Sequence, residues 1–348
     1  LNGAAEPGAR VQIGRNIMQD ERPAGAAPRQ PGAGGSLGHV LISSMRDEGP
    51  YALEFVAHHR AIGFDRILIA SNDCRDGTDL LLDALDRAGA ITHFRSTVAP
   101  GEVPQHAAYA GMRKAQGLDR ADWLMVLDAD EFLDVTLGRG TVQDLTAAAA
   151  GGADILMLNA RTYGTGDEPQ WRPGLVTDQF TRRLPERHRA NGPVKTLARG
   201  LDRFRHIHNH SVMGYRGNRD LLVMRADGST FTIPPGGKLW SFLRNVPVDD
   251  IRHGMAHYNH YAVKSLASFL LRQNRGRGAA PMGQDNDRHT YRYFDRIAQG
   301  RIRDTGFAQR HGARLRAEYD RLMSIPEVAA AQAEAERRYG ALIETLML

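Results

Sequence analysis

From His39 onward, short apolar runs alternate with amphipathic stretches, and this alternation limits the fold more than any other feature of the chain. Val40-Leu41-Ile42 reads as a first strand. Pro50 suits the first turn of a helix over Tyr51–Ile62, closed near Gly63, because a first-turn N–H has no helical partner and proline lacks one. Arg66–Ala70 is a second strand. Thr78–Ala88, ended by Gly89, is a second helix with Leu80, Leu81, Ala84 and Leu85 as its apolar stripe. Ala90–Phe94, Pro104–Gln116 and Trp123–Leu127 then read as strand, helix and strand. Such spacing predicts βαβ units and a mainly parallel α/β sheet flanked by helices.

Sheets of this kind bind ligands beyond the carboxyl ends of their strands. The first strand ends in Ser43-Ser44-Met45-Arg46-Asp47-Glu48, the second in Ser71-Asn72-Asp73, and the fourth in Asp128-Ala129-Asp130-Glu131. If the extended conformation continues, Asp128 and Asp130 project to one side. Two carboxylates aimed at one point raise each other's pKa unless a cation sits between them. An all-oxygen set suits Mg²⁺ or Mn²⁺, ions that commonly hold a diphosphate. The alternative is a strand running into a loop whose acids cap the next helix. Three polar strand ends on one sheet edge favour the site. Neither GxGxxG nor GxxxxGK[ST] occurs, so a dinucleotide or P-loop cradle is not expected.

The remaining chain is less regular. Thr141 with Asp144 caps a helix over Val142–Ala150, and Asp154–Asn159 is another strand. Residues 161–255 are rich in Gly, Pro and Arg. Helices are expected over Tyr261–Gln273, around Ala313–Met323, and after a Ser324 cap with Pro326 in the first turn. The 348 residues carry a net charge of +5, a balance that suits anionic ligands without choosing among them. Cys74 is the one cysteine, which excludes an intrachain disulfide and a cysteine zinc site. No apolar run reaches the roughly 18 residues of a membrane span. With no secretory-signal layout at the start, a cytoplasmic location is expected, with peripheral membrane contact open. Residues 1–38, rich in Gly, Ala and Pro and starting at Leu1, read as a disordered leader.

Taken in order, several of these segments resemble one family. Asp47-Glu48, Glu54, His59 and Gly63-Phe64 are similar to the opening of family-2-type glycosyltransferases of the GT-A fold, in the branch resembling family 92. Asn72–Thr78 resembles its DNDSTDGT loop, and Gln105, Tyr109 and Trp123–Phe132 its following helix and DxDEF motif. Tyr163–Gly166, Val194-Lys195-Thr196, His208 and Asn259-His260-Tyr261 with Lys264-Ser265 follow in the family's order. Asp47, Phe55, Ser71 and Cys74 depart from it.

The resemblance implies a GT-A-like, Rossmann-like domain over 39–276, divided into a nucleotide-binding half (39–135) and an acceptor and metal half (136–276), with a helical C-terminal extension over 277–348. It implies an inverting, Mn²⁺- or Mg²⁺-dependent transferase moving a sugar from a nucleotide-sugar donor, a UDP-sugar, to a glycan, lipid-linked or protein acceptor, as in surface-glycan synthesis. Donor contacts are expected from Ser44, Arg46, Glu48, Asn72, Asp73, Asp128 and Lys195. Asp130, Asp128 and His208 are expected on the metal. His206, His208 and His210 share a face if extended. Arg182, Arg183, Lys195 and Arg199 are candidates to balance the diphosphate. His257 and His260 are placed to hold acceptor or phosphate, or simply to pack and cap. Asp167 and Glu168 are the candidate general bases. Two other readings compete. One is a basic module binding anionic lipid or nucleic acid through 182–219 and 272–303, although acids interleave there and no nucleic-acid motif occurs. The other is a GT-A-shaped nucleotidyltransferase, which needs a glycine-rich basic loop that Ser43–Pro50 lacks.

Overall fold

The computed structural model describes residues 35–275, 278–281 and 289–347. In chain order the first half runs β1 (His39–Met45), α1 (Gly49–Ala61), β2 (Arg66–Ser71), α2 (Thr78–Arg87), β3 (Thr92–Arg95), α3 (Pro104–Gln116), β4 (Trp123–Val126) and β5 (Glu131–Val135). Then follow α4 (Val142–Ala148), β6 (Ile155–Thr162), the short α5 (Val176–Gln179), β7 (Arg182–Arg183), β8 (Val194–Ala198), β9 (Phe204–Ile207), β10 (Val212–Tyr215), β11 (Leu221–Arg225), β12 (Thr230–Ile233) and the short α6 (Leu239–Phe242). The chain closes with β13 (Ala256–His260), α7 (Leu266–Asn274), α8 (Tyr291–Ala298), β14 (Ile302–Arg303), α9 (Gly306–Met323) and α10 (Pro326–Met347).

The main sheet has the order β12-β11-β6-β8-β4-β1-β2-β3, with β13 bridging β6 and β5. Strands β3, β2, β1 and β4 lie parallel, joined by crossovers through α1, α2 and α3. Helix α1 is buried on nearly every side, and α2 buries Leu81, Leu82, Ala84 and Leu85, whereas Leu80 of its expected stripe is exposed. Antiparallel β8 between β4 and β6 makes the sheet mixed. The chain order 3-2-1-4 reverses between β1 and β4, and the crevice beyond the carboxyl ends of that strand pair is where such sheets take ligands.

Two cores cover the two faces. One gathers Leu53, Phe55, Leu81 and Leu85 with Leu315, Leu322, Val328 and Tyr339, so the two C-terminal helices share the core of α1 and α2. The rings of Tyr51 and Tyr339 meet edge to face at 5.6 Å. The other core joins Tyr109 and Met112 of α3 to Val126, Phe204 and Val212.

Several expected boundaries shift for identifiable reasons. Helix α7 starts at Leu266 rather than Tyr261: Lys264 has φ +50°, a left-handed turn, and Ser265 accepts the N–H of Ser268 as the cap. Ser324 ends α9 rather than capping α10, its hydroxyl donating to the Arg321 carbonyl at 2.7 Å. The leader expected over 1–38 lies outside the described residues up to 34. Its last part is built into the domain, for Leu37 is buried and donates its N–H to Arg120 O at 3.1 Å. Among the described residues no helix is long and apolar enough to cross a membrane.

Candidate active site

Beyond β1, β2 and β4 lies a cleft lined by Ser44, Arg46, Glu48, Asn72, Asp128 and Asp130, six of the residues expected there. Their convergence follows from local chemistry. Asp76 accepts the Gly49 N–H at 2.7 Å and the Thr78 N–H at 2.9 Å, and Thr78 Oγ1 accepts the Glu48 N–H at 2.8 Å. The Asn72–Thr78 loop is thereby pinned to the start of α1. Asp47, with φ +49°, accepts from the Arg75 N–H at 2.7 Å and from its guanidinium at 3.0 and 2.7 Å. Asp73 is exposed and accepts from Asn72 at 2.8 Å. It does not line the cleft, whereas Asn72 does.

The acid cluster folds differently from a continued strand. Strand β4 ends at Val126, and residues 128–131 form a turn in which Glu131 N–H donates to Asp128 O at 3.0 Å and Asp128 N–H to Glu131 Oε2 at 2.8 Å. Asp128 and Asp130 still face one cleft, while Glu131 turns back inside. There Lys195, only 1% exposed, places Nζ 2.8 Å from Glu131 and 3.2 Å from Asp128. Burial alone would lower the lysine pKa, but Asp128 and Glu131 outweigh it and hold the ammonium above its usual value. Lys195 therefore sits behind the acids and does not line the cleft.

Asp130 is almost fully buried. Burial would raise its pKa, yet the Arg272 guanidinium and then His260 hold it well below the usual carboxylate range. Arg272 pairs directly with Asp130, and His260 Nε2 lies 3.7 Å from the same oxygen. One turn further along α7, Arg275 pairs with Glu48 and donates to the carbonyls of Arg46 and Asp47, the latter at 2.8 Å. Lys264 Nζ adds a contact to Glu48 at 3.5 Å.

Among the described residues, three cleft side chains carry buried polar atoms with no hydrogen-bond partner: Arg46 Nε, Gln105 Oε1 and Asn209 Oδ1. Gln105 meanwhile donates to Asp128 at 2.8 Å. Buried polar atoms are nearly always paired, so three orphans around one opening describe a polar ligand site.

Other expected residues lie elsewhere. His208 stands beside His106, with ring centroids 4.6 Å apart, and Trp240, 4.5 Å away; it does not line the cleft, and His260 is the histidine at Asp130. The turn after β9, closed by His208 N–H to Ser211 O at 2.8 Å, ends the extended run on which a shared His206–His210 face depends. Asp167 is exposed and Glu168 lies 3.7 Å from Arg172, neither lining the cleft. Arg183 pairs with Asp304 at 2.7 Å and Arg199 covers the Trp123 ring. The cleft's guanidiniums are instead Arg46, just after β1, and Arg272 and Arg275, three residues apart at the C-terminal end of α7. His257 is fully buried, 3.2 Å from Asp134, and packs rather than binds.

The chain is similar to several known proteins. A glycosyltransferase family 92 protein of Ricinus communis is 26% identical over 205 residues, covering 56% of this chain and 36% of that protein. One of Oryza sativa subsp. japonica is 26% identical over 157 residues, covering 43% and 26%. The chain is a distant homologue of glycosyltransferase family 92 proteins. It spans roughly a third or less of the length of these family 92 relatives. No family model matches the chain. Among solved structures, S. aureus TarS 1-349 aligns over 88% of this chain and 90% of its own, with a TM-score of 0.34 and 11% identity. The TarS 1-349 complex with UDP aligns over 38% of each chain, with a TM-score of 0.29 and 12% identity.

Proposed function

We propose that this chain is a glycosyltransferase that moves a sugar from a nucleotide-sugar donor, a UDP-sugar, to a hydroxyl acceptor with inversion. One observation carries the reading: the unpaired polar atoms of Arg46, Gln105 and Asn209 surround the Asp128–Asp130 turn at the strand-order reversal. The family 92 relationship supports the reaction class.

In this reading Asn72 and Ser44 hold the nucleoside end, where β1 and β2 finish. The diphosphate lies over Arg46, Arg272 and Arg275, whose fixed charge offsets the charge that grows on the leaving group. Glu48 and Asp130 keep those two α7 guanidiniums oriented. Lys195 holds Asp128 towards the cleft.

A divalent ion fits the same residues. Asp130 Oδ2, 3.7 Å from His260 Nε2, is also the oxygen that Arg272 holds, so an ion between them would take the place of that guanidinium; oxygen with imidazole suits Mn²⁺. Asp128, 28% exposed at its side chain, lies at the same opening, but among the described residues no three His, Cys, Asp or Glu side chains come together as a metal site, so an ion would take its other ligands from substrate phosphates. Bound there, the ion supplies Lewis acidity to the departing diphosphate.

The test is incubation of the full chain with a panel of UDP-sugars and Mn²⁺, reading UDP release, with UDP binding by calorimetry. UDP binding and donor hydrolysis for at least one sugar are expected. Absence of both across the panel overturns the reading.

A further inference from the structure

Beside the donor cleft runs a second groove, walled by α3 on one side and the β9–β10 hairpin on the other. The two openings share a partition of consecutive residues. Gln105 and Asn209 face the cleft, while His106 and His208 face the groove. From His106 to Gly117 the groove follows α3 for about 16 Å at the helical rise, room for a few sugar units leading away from the reacting end.

Its charge is one-sided. The single acid, Asp119, is paired with Arg113 at 2.7 Å. Lys114, Arg205 and Arg216 are exposed and, among the described residues, have no carboxylate partner. Arg216 makes one bond of 2.8 Å, to the Asp202 carbonyl, which leaves its charge unbalanced. His106 and His206 add further donors. Scattered surface cations are ordinary, but three uncompensated ones in a concave channel beside a transfer site repel one another at a cost that an anion removes. Near the cleft end Trp240, 37% exposed, packs at a steep angle to His208 and carries the Arg244 guanidinium over its ring, 4.7 Å from the centroid.

We propose that this groove holds the acceptor, and that the acceptor is a glycan bearing phosphate groups. The inference rests on the transferase reading above. A membrane headgroup is the poorer occupant, because a concave channel cannot lie flat on a bilayer.

The experiment measures equilibrium binding of fluorescein-tagged phosphomannopentaose and of the same pentaose without phosphate. The proteins compared are the full chain and a Lys114→Ala/Arg205→Ala/Arg216→Ala variant, with UDP calorimetry and thermal melting run alongside. The phosphorylated probe should bind at least tenfold tighter than the neutral one. The variant should lose at least tenfold of that affinity, with UDP affinity held within twofold and melting unchanged. Inorganic phosphate should compete. Equal binding of the two probes, or wild-type binding by the variant, overturns the groove assignment. So does binding confined to phosphatidylglycerol vesicles. Intact UDP binding in those cases leaves the transferase reading standing. Probe binding at the groove without UDP binding in the cleft removes the transferase reading and keeps the anion site.

Discussion

Replacing Lys195 with methionine separates a lysine that touches phosphate from one that supports the acids. Met keeps the length and apolar stem of the side chain and removes the charge. Glu131, 3% exposed, then loses the one cation paired with it among the described residues, 2.8 Å away. Asp128 also loses one, at 3.2 Å, but its carboxylate is 28% exposed and can take water from the cleft. Most of the penalty therefore falls on Glu131. Leaving a buried charge uncompensated costs about 3–5 kcal/mol, a ceiling here because burial already raises Glu131 to about 7 and the carboxyl can take up a proton instead; at about 1.4 °C per kcal/mol for a chain of 348 residues the fall in Tm is at most roughly 4–7 °C. Adding Glu131→Gln removes the stranded charge while keeping an oxygen for the Asp128 N–H, so the double variant should recover at least 1 kcal/mol. Urea unfolding gives the four corners of the cycle, and UDP calorimetry at low temperature reads donor affinity in the folded fraction. A Lys195→Met protein within 1 kcal/mol of wild type, with UDP affinity nonetheless abolished, would falsify the supporting role and return Lys195 to the phosphate.

Other perturbations probe separate parts of the molecule. Arg275→Gln removes the tie from α7 to Glu48 and to the Arg46–Asp47 carbonyls, and should weaken UDP binding by about tenfold, on the scale of one charged hydrogen bond; calorimetry checks it. Mn²⁺ should tighten UDP binding in wild type and give no gain in Asp130→Ala, measured with and without EDTA. At Gly164 an added Cβ would sit 2.6 Å from Ala298 O and from Gly300 N, so Gly164→Ala should cost about 1–3 kcal/mol by overpacking, read by denaturant unfolding. Burial lowers His59 to about 3, and His253 and His210 likewise. The unfolded chain takes up these protons near 6.5 and the native one does not. The histidine contribution is thus complete above about pH 6.5 and falls towards pH 3, with His59 alone losing about 2 kcal/mol at pH 5, while Glu54 and Glu131, raised to about 7 by burial, act in the opposite sense. Chemical unfolding of the wild type and a His59→Gln variant across that range isolates it, and identical pH slopes for the two rule it out.

The crossover half was legible because each element carries its own punctuation. Pro104 and Gly117 bracket α3, which occupies Pro104–Gln116 as expected. That Asp128 and Asp130 line the cleft was legible because a buried strand announces its polar end. What a sequence does not display is which distant side chain answers each charge. Arg272 lies 142 residues from Asp130, and Arg275 lies 227 from Glu48. Their pairing depends on how α7 packs, which no local pattern encodes. His208 and His260 illustrate the same limit, since both sit in histidine-rich segments and only the path of β13 beside β5 brings one to Asp130. The antiparallel insertion of β8 was hidden likewise, because five residues of strand carry no mark of direction.

The shared core of α1 with α9 and α10 has a consequence for how the chain is made. Helix α1 leaves the ribosome early, but the surfaces that cover it follow about 245 residues later, some tens of seconds at typical synthesis rates. Until then Leu53, Phe55 and Val56 lack part of their cover, and a nascent chain stalled before Gly306 offers an apolar face to chaperones or to other chains. Stop codons upstream of α9 should therefore yield aggregates rather than a smaller folded domain, and fusions are better carried where they do not delay α9 and α10.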